Sequence, residues 1–139
     1  MNAGTMVVEE TKTLDQLISL LATGALPTAV RRKSFIVNDV PKSFPITTDE
    51  NTLATILGGM LHSVVNQSMS SCIRVAATQS GSKVLIQMHD SSIRNVHALI
   101  SQLQEVQPLA DTIGGLFSIG EYEKTGAVGF SFMNLNSVA

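Results

Sequence analysis

The sequence predicts an α/β (α+β) two-layer sandwich, in which one mixed β-sheet carries helices on a single face. Three observations predict it. Apolar residues recur at helical spacing in two early stretches, around Leu14 to Leu21 and Leu53 to Val65. They alternate strictly with polar residues between Ile73 and Met88, as half-buried strands do. The elements then run, after a leading helix, in the order β-α-ββ-α-ββ, which suits one sheet covered by helices.

Taken in order, residues 1–11 read as a flexible leader, and residues 12–139 as a single domain. Leu14, Leu17, Ile18 and Leu21 fall at i, i+3, i+4 and i+7, so a short helix is expected from Thr13 to Leu21. Thr13 can cap it, and Gly24 with Pro27 is expected to end it. After the basic run Arg31-Arg32-Lys33, the aromatic and β-branched stretch Ser34-Phe35-Ile36-Val37 reads as a strand. Pro41 and Pro45 confine the chain beyond that strand to turns and extended segments.

Thr47-Thr48-Asp49-Glu50 has the form of a capping box, in which the two ends satisfy each other's orphan amides. Leu53, Ile56, Leu57, Met60, Leu61, Val64 and Val65 then build a wide apolar stripe, ending near 66–70. Gly58 and Gly59 inside it cost about 1 kcal/mol each relative to alanine. They imply close approach of another backbone, or a missing side chain at a site. Ile73, Val75 and Ala77, a turn at Gln79-Ser80-Gly81-Ser82, and Val84, Ile86 and Met88 form a hairpin. Asn95 to Ile113 reads as two helical segments broken before Pro108, terminated by Gly114-Gly115. Leu116 to Ile119 and Ala127 to Leu135 make a closing hairpin around residues 121–126.

Composition narrows the function. The 139 residues fit one domain, and 44% hydrophobic against 14% charged residues supports a packed core. A net charge of -2 argues against a nucleic-acid partner, and no apolar run is long enough for membrane insertion. MNAGTMVVEE lacks the pattern of a secretory signal, so a cytoplasmic chain is expected. The lone Cys72 excludes an intramolecular disulfide framework and reads as a small buried hydrophobe. His89 and His97 show no metal-ligand spacing, so no metal site is expected from them.

Phe35-Ile36-Val37-Asn38-Asp39-Val40-Pro41, Pro45 to Leu53, the strand pair ending in Asp90, and the helix into Gly114-Gly115-Leu116 together resemble the ATP-binding domain of sensor histidine kinases. That domain is of the GHKL (gyrase, chaperone, histidine kinase, mismatch repair) superfamily, and the resemblance covers about 34–135. It implies a histidine kinase/chaperone-like ATPase fold, with ATP and Mg as its ligands. In the family an asparagine box on the long helix holds magnesium. Here Leu57-Gly58-Gly59-Met60-Leu61-His62-Ser63 puts Gly59 and Ser63 where the two asparagines belong. Asn66, about one turn on, is a candidate substitute ligand, and His62 stands where an acid or base sometimes sits.

The family's Asp-x-Gly-x-Gly, whose Asp reads the adenine amine, is Asp90-Ser91-Ser92-Ile93-Arg94 here. Ser92 and Arg94 replace both glycines, and a β-carbon there crowds a nucleotide lying against the backbone. No glycine lies between Asp90 and Gly114, so the phosphate-wrapping loop is missing as well. The resemblance also implies a preceding helix pair with a phosphoacceptor His. Thr13 to Leu21 contains none, so a whole kinase is not expected.

Asp90, Ser63, Asn66 and Ser92 are thus the candidates for a vestigial ATP pocket, and His62 for catalysis. Each has a plainer alternative: Asp90 as a turn-capping carboxylate, His62 as a solvated surface residue. Arg31-Arg32-Lys33 reads either as a solvated turn or as a contact for an acidic partner. The favoured function is a degenerate histidine-kinase-like ATPase domain that binds a protein partner in two-component signalling. The alternatives are a genuine ATP/Mg-binding domain, and a structural homodimer pairing through Leu14, Leu17, Ile18 and Leu21.

Overall fold

The computed structural model describes residues 13–42, 44–92, 96–122 and 125–133, and the side chains among them except at 96–97, 120–122 and 125–126. The elements are α1 (Leu14–Arg31), β1 (Phe35–Asn38), α2 (Glu50–Gln67), β2 (Cys72–Ser80), β3 (Lys83–His89), α3 (Val96–Gln102), a 3-10 turn (Leu103–Val106), α4 (Gln107–Asp111), β4 (Leu116–Tyr122) and β5 (Thr125–Met133). They form one five-stranded sheet in the order β1-β2-β3-β5-β4. β1 runs parallel to β2, and every other pair is antiparallel. This is the expected mixed sheet.

Alternation decides which face is covered. Ile73, Val75 and Ala77 of β2, Val84, Ile86 and Met88 of β3, and Val128, Phe130 and Phe132 of β5 are all buried. They pack in one core with the α2 stripe Leu53, Ile56, Leu57, Met60, Leu61, Val64 and Val65. Each Val, Leu, Ile, Met or Phe side chain among them contributes about 1.5–3 kcal/mol when fully buried. Arg74, Thr78 and Lys83, on the opposite face, are exposed. The β2–β3 turn is tighter than expected, since Ser80 pairs with Lys83 and only Gly81 and Ser82 lie between. Gly81 takes φ +63°, as a two-residue hairpin demands.

Four local expectations are corrected. First, α1 does not stop near Leu21 but runs through Gly24 and Pro27 to Arg31. Pro27 lies on the exposed side of the helix, and Ala29 beyond it is fully buried. That burial, and a well-made helix end, offset the proline. Second, α2 is capped by Asp49, whose Oδ1 accepts from the Asn51 amide at 3.1 Å, rather than by Thr47. The cap carboxylate stands beside the positive end of the helix dipole, which a threonine cannot match. Asp49→Ala is therefore expected to cost about 1 kcal/mol in urea denaturation.

Third, no backbone crowds Gly58 or Gly59. A β-carbon on Gly58 would touch only Leu21 Cδ2 at 3.5 Å, and one on Gly59 would meet nothing within 4 Å. Fourth, Cys72 is half-buried on the uncovered face, opposite Phe35, not a core residue. The helical break before Pro108 is present as the 3-10 turn, which leads into α4 with the proline in its first turn. In the closing hairpin both strands extend further than expected, from Leu116–Tyr122 and Thr125–Met133. The expected leader 1–11 and the strand end at 134–135 lie outside the described residues.

The α1 surface expected to pair with a second copy is used internally. Leu14, Leu17 and Ile18 are buried in the domain's own core, and Leu21 packs against it. A dimer cannot be built on them without opening the fold.

Candidate functional site: a serine cage around Asp90

Asp90 directly follows β3 and is only 1% exposed. Its Oδ1 accepts from the Ser71 hydroxyl, from the Ser92 amide at 2.8 Å and from the Ser92 hydroxyl at 2.8 Å. Ser92 Oγ in turn accepts from the Met69 amide at 3.1 Å. Asp90 Oδ2 is buried with no hydrogen-bond partner among the described residues. One carboxylate oxygen is thus fixed by three donors, while its twin is buried without a partner among the described residues. Such an orphan is costly unless something completes it.

The cage continues away from Asp90. The Ser71 amide donates to Ser34 Oγ at 3.3 Å, and Ser34 Oγ lies 2.9 Å from Ser68 Oγ, which is itself 2.8 Å from the Val65 carbonyl. Arg32 Nε donates to the Ser68 carbonyl at 2.9 Å, and the Ser70 amide donates to the Arg32 carbonyl at 2.9 Å. The polar chain therefore runs from the end of α1, through the loop after α2, to the end of β3. Sequence alone does not single out Ser34, Ser68 or Ser71. Serines in a loop resemble solvated ones until the chain is folded, and nothing in the run Ser68-Met69-Ser70-Ser71 distinguishes the buried members.

Of the expected pocket residues, the fold joins Asp90 and Ser92. The Ser92 side chain folds back onto Asp90. Ser63 is half-buried on α2, and no hydrogen bond among the described residues joins it to Asp90. Asn66 and His62 are exposed and bonded to each other, Nδ2 to Nε2 at 2.9 Å. His62 also borders a groove of about 250 Å³ against α1, with Leu20, Leu21, Gly24, Ala25 and Gly58. His62 therefore stands on the α1 side of the helix, held by Asn66. Among the described residues no three His, Cys, Asp or Glu side chains are grouped to hold a metal ion. Arg94 and the His97 side chain lie outside the described residues.

A mixed five-stranded sheet under one layer of helices, with a long central helix, is the fold of histidine-kinase catalytic domains. Solved structures of that class superpose on it. The histidine kinase AdeS of Acinetobacter baumannii matches 91% of this chain and 68% of its own, with a TM-score of 0.76 and 10% identity. A nucleotide-free catalytic domain of the histidine kinase ThkA matches 90% of this chain and 95% of its own, with a TM-score of 0.73 and 11% identity. Full-length ShkA, solved in complex with AMPPNP, matches 97% of this chain and 33% of its own, with a TM-score of 0.70 and 18% identity. At these identities the likeness is one of fold. No protein-family profile matches the chain, and no curated protein matches it in sequence. No helix among the described residues is long and apolar enough to cross a membrane.

Proposed function

We propose that the chain is a histidine-kinase-type ATPase domain that has given up phosphoryl transfer and serves as a binding or regulatory module. Its setting is two-component-type signal transduction, in the cytoplasm. The observation that carries this reading is α2. Where the resemblance calls for two asparagines, Gly59 offers no ligand and Ser63 a weak one, and Asn66 is engaged by His62. Magnesium takes hard oxygen ligands in near-octahedral geometry, usually beside substrate phosphates, and this helix supplies too few.

A second reading is favoured by Asp90 alone. Its Oδ2, buried without a hydrogen-bond partner among the described residues, is an acceptor that an amine donor such as the exocyclic amine of adenine would complete once the loop beside it opens. Purine binding without turnover unites the two readings: the base end of the pocket is kept and the metal end is lost. A ligand at 100 times its dissociation constant adds about 2.7 kcal/mol of stability. Thermal denaturation with ATP is therefore expected to show the same shift with and without magnesium. A shift that requires magnesium contradicts the loss of the metal end. Gly59→Asn combined with Ser63→Asn is expected to introduce that requirement, since a β-carbon on Gly59 meets nothing within 4 Å.

A further inference from the structure

α1 ends in a Schellman motif: the Lys33 amide donates to the Val30 carbonyl at 3.0 Å, and the Ser34 amide to the Ala29 carbonyl at 2.9 Å. The residue after the cap in this motif is usually glycine, because it takes positive φ. Here it is Lys33, at φ +58°. Across from it Ser70 is also left-handed, at φ +49°, and no other described non-glycine residue has positive φ. Both line one cleft of about 250 Å³, together with Arg31, Arg32 and Met69. Two strained positions facing one cleft point to a use for the side chains placed there.

The cleft has a definite chemistry. Arg31 and Lys33 are exposed, and neither meets a carboxylate among the described residues; Arg31 donates to Thr28 Oγ1 at 3.2 Å. Arg32 instead fixes the loop through its bonds to Ser68 and Ser70. Met69, which lines the cleft with these cations, is a large apolar side chain left 62% exposed, and Val30 and Phe35, which flank the basic run in sequence, are 64% and 60% exposed. The three cations are a third of the chain's nine basic residues, and the other six are outnumbered by eleven acidic ones. A long polyanion such as RNA would meet repulsion beyond the cleft, whereas a short acidic segment would not.

We propose that this cleft, in which Met69 lies with Arg31 and Lys33, docks an acidic, apolar-flanked segment of a protein partner. A carboxylate enters between the two cations, and an apolar neighbour covers Met69. The proposal takes up the partner-binding part of the reading above and names the partner's chemistry. It can fail separately, because ATP turnover would contradict that reading and leave this surface unchanged.

The test is fluorescence anisotropy of the full chain with a short labelled peptide that alternates glutamate pairs with leucine. Saturable binding is expected, weakening as ionic strength rises past about 0.15 M. Lys33→Gly and Arg31→Gln are each expected to weaken it about tenfold. Met69→Ala is expected to weaken it as well, which capture of an anion alone would not show. Lys33→Gly relieves the left-handed strain, so its melting temperature is expected to rise by about 4 °C, which excludes misfolding as the cause. The proposal is overturned by an absence of saturable binding, or by equal binding of the glutamine version of the peptide. It is also overturned if millimolar inorganic phosphate displaces the peptide while Met69→Ala has no effect, or if a single-stranded RNA binds more tightly.

Discussion

Gly115→Ala is expected to destabilise the domain by about 3 kcal/mol, the upper range for forcing extra volume into a packed core. A β-carbon there would stand 2.6 Å from Phe130 Cε1, nearer still to Cζ, and 3.2 Å from the Ala110 carbonyl. Phe130 is fully buried, with the rings of Phe117 and Phe132 centred 4.9 and 6.0 Å away. It has little room to swing aside. The other nearby group is the Ala110 carbonyl, which already accepts the Gly115 amide at 2.8 Å. A lowered midpoint in urea with an unchanged slope is the expected readout. Gly59→Ala is the internal control. Nothing stands near its β-carbon, and alanine favours a helix over glycine by about 1 kcal/mol, so its midpoint is expected to rise. Equal midpoints for the two variants would mean that the packing at Gly115 yields.

The second large effect is expected at Asp90. Asp90→Ala removes the acceptor shared by Ser71 Oγ, Ser92 N and Ser92 Oγ, and releases the loop held through Met69. Hydrogen bonds to a charged group contribute about 1.5–3 kcal/mol each, but the variant also abolishes the buried orphan Oδ2, which offsets part of the loss. A net loss of about 2 kcal/mol in chemical denaturation is expected. Any stabilisation by ATP should vanish with it. Retained stability would show that the serines find other partners, and retained ATP binding would remove Asp90 from the ligand site.

The fold is legible in the sequence because its signals are periodic and redundant. The α2 stripe repeats over more than three turns, and the β2–β3 alternation survives any single exception. Expectation and structure part where one residue competes with its surroundings. Pro27 is a strong local stop, yet burial of Ala29 and the bonds that close α1 outweigh it. Thr47 and Glu50 have the spacing of a box, but Asp49 sits between them and is the better acceptor. The site is half legible. Asp90 stands out by its place at a strand end, whereas Ser34, Ser68 and Ser71 come together only through contacts up to 37 residues apart in sequence. Leu14, Leu17 and Ile18 are legible as a buried face, but not as one buried within the same chain.

The charged residues divide in a similar way. Arg74 pairs with Asp39 at 2.7 Å in the open, where an ion pair adds little stability. Arg31 and Lys33 have no such partner among the described residues, and Lys33 sits on strained backbone.

The central claim is that an ATPase fold is present without its phosphoryl-transfer chemistry. Magnesium-dependent ATP hydrolysis by the purified chain tests it most directly, with Asp90→Ala prepared in parallel to expose any contaminating enzyme. The account predicts the same background rate for both proteins, with or without magnesium. Magnesium-dependent release of phosphate by the wild-type chain, lost in Asp90→Ala, would contradict it.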